Sequence, residues 1–185
     1  PYKDQTIDED AFVYTKLKGA GAVLIAKFTL GALAMGDYWY GGRTKNPWNL
    51  KRGSSGSSAG STAATVAGLV PFAIGTETLG SIISPSTTCG ATGLRPTFGS
   101  TSRTGAMALS YSLDKIGPIC RSAEDAAIVF NYLHGTDGKD QCAVNMPFNY
   151  TGKVDFSKMK IAYAKHYFDQ GDTMGNELKV LDVYR

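Results

Sequence analysis

The chain has 185 residues, of which 43% are hydrophobic, 11% aromatic and 19% charged, a composition that buries a core and lacks the charge excess of a disordered chain. Its 19 lysines and arginines against 16 acidic residues give a net charge of +3 scattered singly along the sequence, which excludes a basic nucleic-acid stripe. No apolar run approaches the roughly 18 residues of a membrane span, and Pro1-Tyr2-Lys3-Asp4-Gln5 does not have the form of a signal peptide.

In chain order, Asp8-Glu9-Asp10 precedes Ala11 to Lys18, with Gly19 and Gly21 behind, and predicts a helix whose charge order suits its dipole. Ala22 to Phe28 predicts a buried strand. A helix-then-strand unit repeated downstream predicts an α/β fold, with a mixed central β-sheet and helices on both faces. Phe28 to Tyr40 is apolar and aromatic without a period, and its Leu33 to Tyr40 part, with Trp39 and two tyrosines, is a candidate wall for an apolar acyl pocket as well as for core packing. Gly41 to Pro47 reads as a loop.

The run Gly53-Ser54-Ser55-Gly56-Ser57-Ser58-Ala59-Gly60-Ser61 follows. Ala59 to Leu69 predicts a small-residue helix whose N-terminus, beside Ser57, favours developing negative charge. Val70 to Ile74 predicts a short strand leading into a second glycine-rich loop, Gly75-Thr76-Glu77-Thr78-Leu79-Gly80-Ser81. Further on, Ser122 with Asp125 three positions later predicts a capped helix running to Gly135. Thr136 to Ser157 is polar and irregular, and Met159 to Ala164 predicts another strand. Cys89, Cys120 and Cys142 form an odd, widely spaced set that fits neither a metal site nor a disulfide framework, so they read as buried or free thiols. The sequon Asn149-Tyr150-Thr151 is read as incidental.

Ser57 and Ser81 stand 24 positions apart, each in a glycine-rich loop beside apolar sequence. Small residues let the backbone approach a reacting carbonyl and turn N–H groups toward its oxyanion, while serine supplies the hydroxyl, so the pairing points to acyl transfer. A serine hydroxyl needs a base. Of the two histidines, His134 ends the capped helix and His166 follows a strand between Lys165 and Tyr167, and neither position suits that role. A serine-lysine mechanism avoids histidine by using a lysine kept neutral through desolvation.

Lys27 reads as a strand-end residue reaching solvent, Cys89 as a packed thiol, Ser58 as a loop or cap hydrogen-bonder, and Ser54 and Ser55 as ordinary loop residues. Gly56-Ser57-Ser58-Ala59-Gly60 formally fits the G-x-S-x-G elbow, with Ser58 as nucleophile, but that motif needs a buried strand before it and Asn46 to Arg52 does not read as one. A phosphate loop fails for want of the lysine in G-x-x-x-x-G-K-[ST].

The serine run and the G-T-E-T-L-G-S-I segment resemble the amidase signature family. The match is strongest over about residues 8–135 and weaker over 136–185, and includes Gly21 to Lys27, Thr44-Lys45-Asn46-Pro47-Trp48-Asn49, Cys89 to Thr97 and Asp114-Lys115-Ile116-Gly117-Pro118. The resemblance implies a Ser-cisSer-Lys triad with Ser81 as nucleophile and Ser57, in a cis peptide bond, as bridging serine. It further implies that the N–H groups of Thr78, Leu79, Gly80 and Ser81 hold the oxyanion, with Ser58 supporting the loop and with no metal and no organic cofactor. The family lysine lies upstream in a G-[IV]-P-x-x-x-K-D element, and members are far longer. The 185 residues are therefore expected to be a single partial domain, the central portion of an amidase, and inactive alone.

The implied reaction is hydrolysis of a carboxamide, with a small-molecule amide as substrate. A glutaminase-type amidotransferase subunit or an inactive amidase-like scaffold stand as alternatives. Leu79 stands where the family often has glycine, Glu77 where it has aspartate and Ile83 where it has arginine. Loss of that arginine implies a less anionic substrate. The remainder of a parent chain or a second copy is the expected partner, and localisation stays open between the cytoplasm and export.

Overall fold

The computed structural model describes residues 4–153, 155–160 and 162, and its backbone divides into two compact units, Pro1–Tyr150 and Thr151–Arg185. In the first unit, α1 (Phe12–Gly19) follows the acidic run and carries Lys16 and Lys18 in its last turn, where the helix dipole favours cations. Ala22 to Phe28 departs from expectation: it forms no strand, and Val23, Leu24 and Ile25 are exposed. An extended segment becomes a strand by pairing its backbone groups with a neighbour, and no described strand runs beside this one.

Gly41 to Pro47, expected as a loop, instead contributes to two tight antiparallel pairings. Strand β1 (Tyr38–Trp39) pairs with β2 (Gly42–Arg43), and β3 (Lys45–Asn46) with β4 (Asn49–Gly53). Leu50 of β4 faces solvent, so this is a surface strand. The following helix, α2 (Ala59–Val66), stops three residues short of the expected end. Gly68 takes φ +74, and the bonds Leu69 N–H to Ala64 C=O and Gly68 N–H to Thr65 C=O, at 3.0 and 3.2 Å, close the helix as a left-handed C-terminal motif.

Strand β5 (Ala73–Glu77) begins three residues later than Val70, because Pro71 has no N–H for a ladder. Helix α3 (Ile83–Cys89), β6 (Thr92–Gly93), β7 (Lys115–Cys120) and α4 (Ala123–Leu133) complete the unit. The sheet order is β5-β7-β6, with both pairings antiparallel, and α2 packs on β5 and β7 while α4 packs on β7. The α/β class holds; among the described residues the parallel component is an isolated bridge between Thr101 and Gly135.

As the sequence predicted, Ser122 caps α4, its Oγ accepting from Asp125 N–H at 3.0 Å, although the helix ends at Leu133. One core cluster joins Cys120 to Ala126, Val129, Phe130 and Leu133, with Val13, Leu17 and Ile74 against it; a second joins Ala64, Val70 and Ala73. Every residue of β7 is buried, which makes it the fixed rail on which β5 is registered. That register, from Ala73 opposite Ile119 to Glu77 opposite Lys115, decides where the chain leaves the sheet toward Ser81.

In the second unit, Asp155 accepts from Ser157 N–H at 3.2 Å and Lys158 Nζ at 3.1 Å around a 3-10 turn, Phe156–Lys158. Of Met159 to Ala164, expected as a strand, Ile161, Tyr163 and Ala164 lie outside the described residues, as does His166, and Met159, Lys160 and Ala162 form no strand.

Candidate active site

Two loops meet at the end of β5. The first, between β4 and α2, carries Ser57; the second, between β5 and α3, carries Ser81. Ser58 N–H donates to the Ser81 carbonyl at 3.1 Å, so the loops are joined through backbone next to both serines.

The Ser57 loop is fixed from three sides. The Ser57 carbonyl accepts from Gly31 N–H at 2.9 Å and Ala59 N–H at 2.7 Å, and the Gly56–Ser57 peptide is cis. Asp37, itself paired with Arg43 at 3.0 Å, takes Ser55 N–H at 3.1 Å, and Ser55 Oγ lies 2.7 Å from Ser84 Oγ. Ser54, expected as an ordinary loop residue, is fully buried, its N–H on the Thr44 carbonyl and its Oγ on the Ser55 carbonyl. Ser55 adopts φ 61, a left-handed conformation stabilised by these anchors.

The Ser81 loop is held by charged side chains acting on backbone. Glu77, only 2% exposed, accepts from Ile82 N–H at 2.8 Å and Ile83 N–H at 3.0 Å, with Arg95 at 3.9 Å from its other oxygen. Burial pushes the Glu77 carboxyl up, but the N–H groups of Ile83, Gly80 and Ile82 and the Arg95 charge outweigh it, so the group sits below its ordinary range. Thr78 donates its hydroxyl to Asp114, while its carbonyl accepts from Lys115 Nζ at 3.0 Å. Burial raises the Asp114 carboxyl, and bonds from Thr78, Ser110 and Leu109 with the Arg103 charge bring it below its usual range. Gly80 turns the chain at φ +88, a conformation that suits a residue without Cβ.

Ser57, Ser81 and Thr78 line one cavity of about 30 Å³, together with Ala34, Lys115 and Ile116. That is room for a single water. Ser57 Oγ is buried there without a hydrogen-bond partner, and Ser81 is 7% exposed. Leu79 points its side chain outward at 86% exposure and, with Gly80, does not line the cavity. Of the Leu33 to Tyr40 stretch only Ala34 reaches the cavity; Tyr38 and Tyr40 are exposed. A separate apolar cavity of about 700 Å³ lies along Val13, Leu17, Phe28 and Phe72, and neither Ser57 nor Ser81 lines it.

Other candidates are placed elsewhere. Ser58 Oγ bridges both the N–H and the carbonyl of Thr76 at 3.1 Å and lies outside the serine cavity, which removes it as an elbow nucleophile. His134 caps α4 at its C-terminal end; burial and the Lys16 charge hold it below its ordinary value, and it lines neither cavity. Lys27 is exposed and Cys89 is packed against the Ser54 carbonyl, its thiol pushed up to about 11 by burial and by the Asp37 charge. No cluster of metal-ligating side chains occurs among the described residues.

Sequence reasoning passed over Asp37, Asp114 and Lys115 as site residues and gave Glu77 only its backbone. The signal for Asp114 and Lys115 was present in the Asp114-Lys115-Ile116-Gly117-Pro118 block, but the strand register that brings it under Thr78 is not local.

The family model described as Amidase matches residues 2–181. The A subunit of glutamyl-tRNA(Gln) amidotransferase from Coxiella burnetii is 46% identical over 168 residues, covering 88% of this chain and 35% of that protein. Its counterpart in Geobacillus kaustophilus is 43% identical over 178 residues, covering 93% and 37%. Among solved structures, the corresponding glutamyl-tRNA(Gln) amidotransferase polypeptide of Thermotoga maritima superposes with a TM-score of 0.73 at 43% identity over 75% of this chain and 31% of its own. Native peptide amidase from Stenotrophomonas maltophilia does so with a TM-score of 0.72 at 40% identity over 77% and 31%. The chain thus spans about a third of the length of the relatives it matches.

Proposed function

The chain belongs to the amidase family, and from that membership we propose that it carries the nucleophile region of a serine amidohydrolase that cleaves a carboxamide C–N bond through an acyl-enzyme. The observation that carries this reading is the meeting of Ser57 and Ser81 on one small cavity, with Ser57 Oγ buried and unpartnered and the two loops joined by the Ser58 to Ser81 backbone bond.

In this scheme Ser81 Oγ attacks the amide carbonyl carbon while its proton passes to Ser57 Oγ, and the Ser57 proton passes to a neutral lysine. The carbonyl oxygen becomes an oxyanion held by N–H groups drawn from Thr78, Leu79 and Ser81, the Gly80 N–H being turned toward the Glu77 carboxylate. Its collapse breaks the C–N bond, the amine leaves with the proton returned along the same path, and water hydrolyses the ester. The lysine of the family's G-[IV]-P-x-x-x-K-D element is not among these 185 residues, so the chain by itself is proposed to be inactive.

The names of the relatives favour a second reading, an amidotransferase component whose amide hydrolysis serves a partner. Against it stands Ile83, two positions after Ser81, where the family often has an arginine, since its absence removes a cation close in sequence to the nucleophile and suits a less anionic substrate. An inactive scaffold is disfavoured by the retention of both serines.

The test is intact mass and peptide mapping after fluorophosphonate treatment of two polypeptides, this chain and the same chain joined to the lysine element. Ser81 is expected to take the label in the lysine-bearing form alone, and Ser81→Ala to take none. A folded lysine-bearing protein without label at Ser81 refutes the assignment.

A further inference from the structure

We propose that Lys115 is a positioning residue whose ammonium fixes and polarises the Thr78–Leu79 peptide, and with it the loop from which Ser81 acts. The inference rests on the acyl-transfer reading of Ser81 and adds a residue to it.

Lys115 opens β7 and stands directly opposite Glu77, the last residue of β5. It is buried at 8% exposure, and its Nζ donates to the Thr78 carbonyl at 3.0 Å. The preceding residue, Asp114, accepts the Thr78 hydroxyl. Adjacent side chains at one strand end therefore hold both polar ends of Thr78. A lysine that is buried yet turned toward a backbone carbonyl is not a solvated surface charge.

In a trans peptide the carbonyl and the following N–H point in opposite directions. The Thr78–Leu79 peptide is trans, so anchoring the Thr78 oxygen on Lys115 sets the direction of the Leu79 N–H, which has no acceptor among the described residues. The bond is charge-assisted, and a cation drawing on the carbonyl strengthens the dipole at the amide end of the same unit. Lys115 also borders the cavity with Ser57, but Ser57 Oγ has no hydrogen-bond partner, so in this geometry the lysine serves the loop rather than the serine pair.

The experiment compares Lys115→Met and Lys115→Gln in a polypeptide that joins this chain to the lysine element. Three quantities are read: the rate of fluorophosphonate labelling at Ser81, kcat and KM for amide hydrolysis, and the 13C shift of the Thr78 carbonyl. Lys115→Met is expected to slow labelling and lower kcat by about 10–100-fold, below the loss typical of deleting a whole donor, with KM within about twofold and the pH profile unmoved. Lys115→Gln, which still donates a neutral hydrogen bond, is expected to recover several-fold, and it decides the matter where the methionine variant fails to fold. The Thr78 carbonyl shift is expected to move in Lys115→Met, by less in Lys115→Gln, with Glu77 and Ile82 nearly unchanged.

Wild-type rates in both variants overturn the proposal. So does a glutamine variant as slow as the methionine one, or a displaced acidic limb of the pH profile, which would make Lys115 a proton acceptor. If the wild-type protein itself takes no label, the acyl-transfer reading falls, and the Thr78 carbonyl still tests the anchoring: an unmoved shift overturns it and a moved one supports it.

Discussion

Replacing Glu77 tests whether a buried carboxylate holds the loop that carries Ser81. Glu77→Ala deletes the acceptor of two backbone N–H groups, at 2.8 and 3.0 Å, in a place only 2% exposed, where water does not substitute. Hydrogen bonds to a charged group contribute about 1.5–3 kcal/mol each, so the two together set an expected loss near 3–4 kcal/mol once some relaxation of the loop is allowed. Both bonds end on the same oxygen, Oε2, so Glu77→Gln can keep both with its amide oxygen and loses the charge assistance and the ion pair with Arg95. Its expected cost is about 1–2 kcal/mol. Urea unfolding followed by tryptophan fluorescence measures both. The pH dependence has a definite sign: the folded Glu77 carboxyl lies below its ordinary value of 4.5, so its contribution is full above that value and disappears as pH falls through the folded value. The gap between wild type and Glu77→Gln should therefore close on acidification below about pH 4.5. A glutamine variant as unstable as the alanine one, or a gap unchanged down to pH 3, refutes the reasoning.

Asp140 offers a second test, since it takes Arg103 Nε and Nη2 at 2.8 and 2.9 Å and the N–H groups of Arg103 and Cys142 at 2.9 and 3.0 Å. Asp140→Ala leaves a buried guanidinium with the Tyr111 carbonyl as its remaining partner and is expected to cost about 3–5 kcal/mol in urea unfolding, while adding Arg103→Met recovers part of the loss; a double variant worse than the single one contradicts this. Among the thiols, brief alkylation at pH 8 with peptide mapping should mark Cys142 first. Cys89 is pushed up to about 11 by burial and the Asp37 charge, and Cys120 to about 12 by burial and Asp125 against Arg121; equal alkylation of Cys89 speaks against its packing.

What was legible in the sequence follows from the range of the interactions. The Ser122 cap is written in four consecutive residues, and α4 formed on it. The two serine loops were legible because glycine-rich turns declare themselves locally, and the resemblance tied them together. Ala22 to Phe28 misled because an apolar run records only a wish for burial, whereas a strand also needs a neighbour for its backbone, and none of the described strands supplies one. Strand β5 was displaced by three residues because Pro71 blocks the ladder that the apolar pattern alone would begin at Val70. Ser54 was missed because burial of a loop serine depends on Thr44 and Cys89, which fold across it from distant positions.

The charges around the site share a habit that explains why single-sequence reading undervalued them. Asp37 acts on Ser55 N–H, Glu77 on Ile82 and Ile83 N–H, Asp114 on Leu109 and Ser110 N–H, and Lys115 on the Thr78 carbonyl. Each is spent on backbone, and so leaves the loop residues themselves free of the duty of holding shape. Leu79, 86% exposed between Thr78 and Gly80, has its peptide held at one end by Lys115 although its side chain touches little. A frequent glycine can therefore become leucine at that position without loss of loop geometry, because the conformation is specified from β7 rather than from the loop sequence. The same division of labour separates the two kinds of residue a mutational survey would find. Those that set the geometry of the Ser81 loop, Glu77, Asp114 and Lys115, sit at strand ends and carry charge, whereas Leu79 sits on the loop surface and carries none.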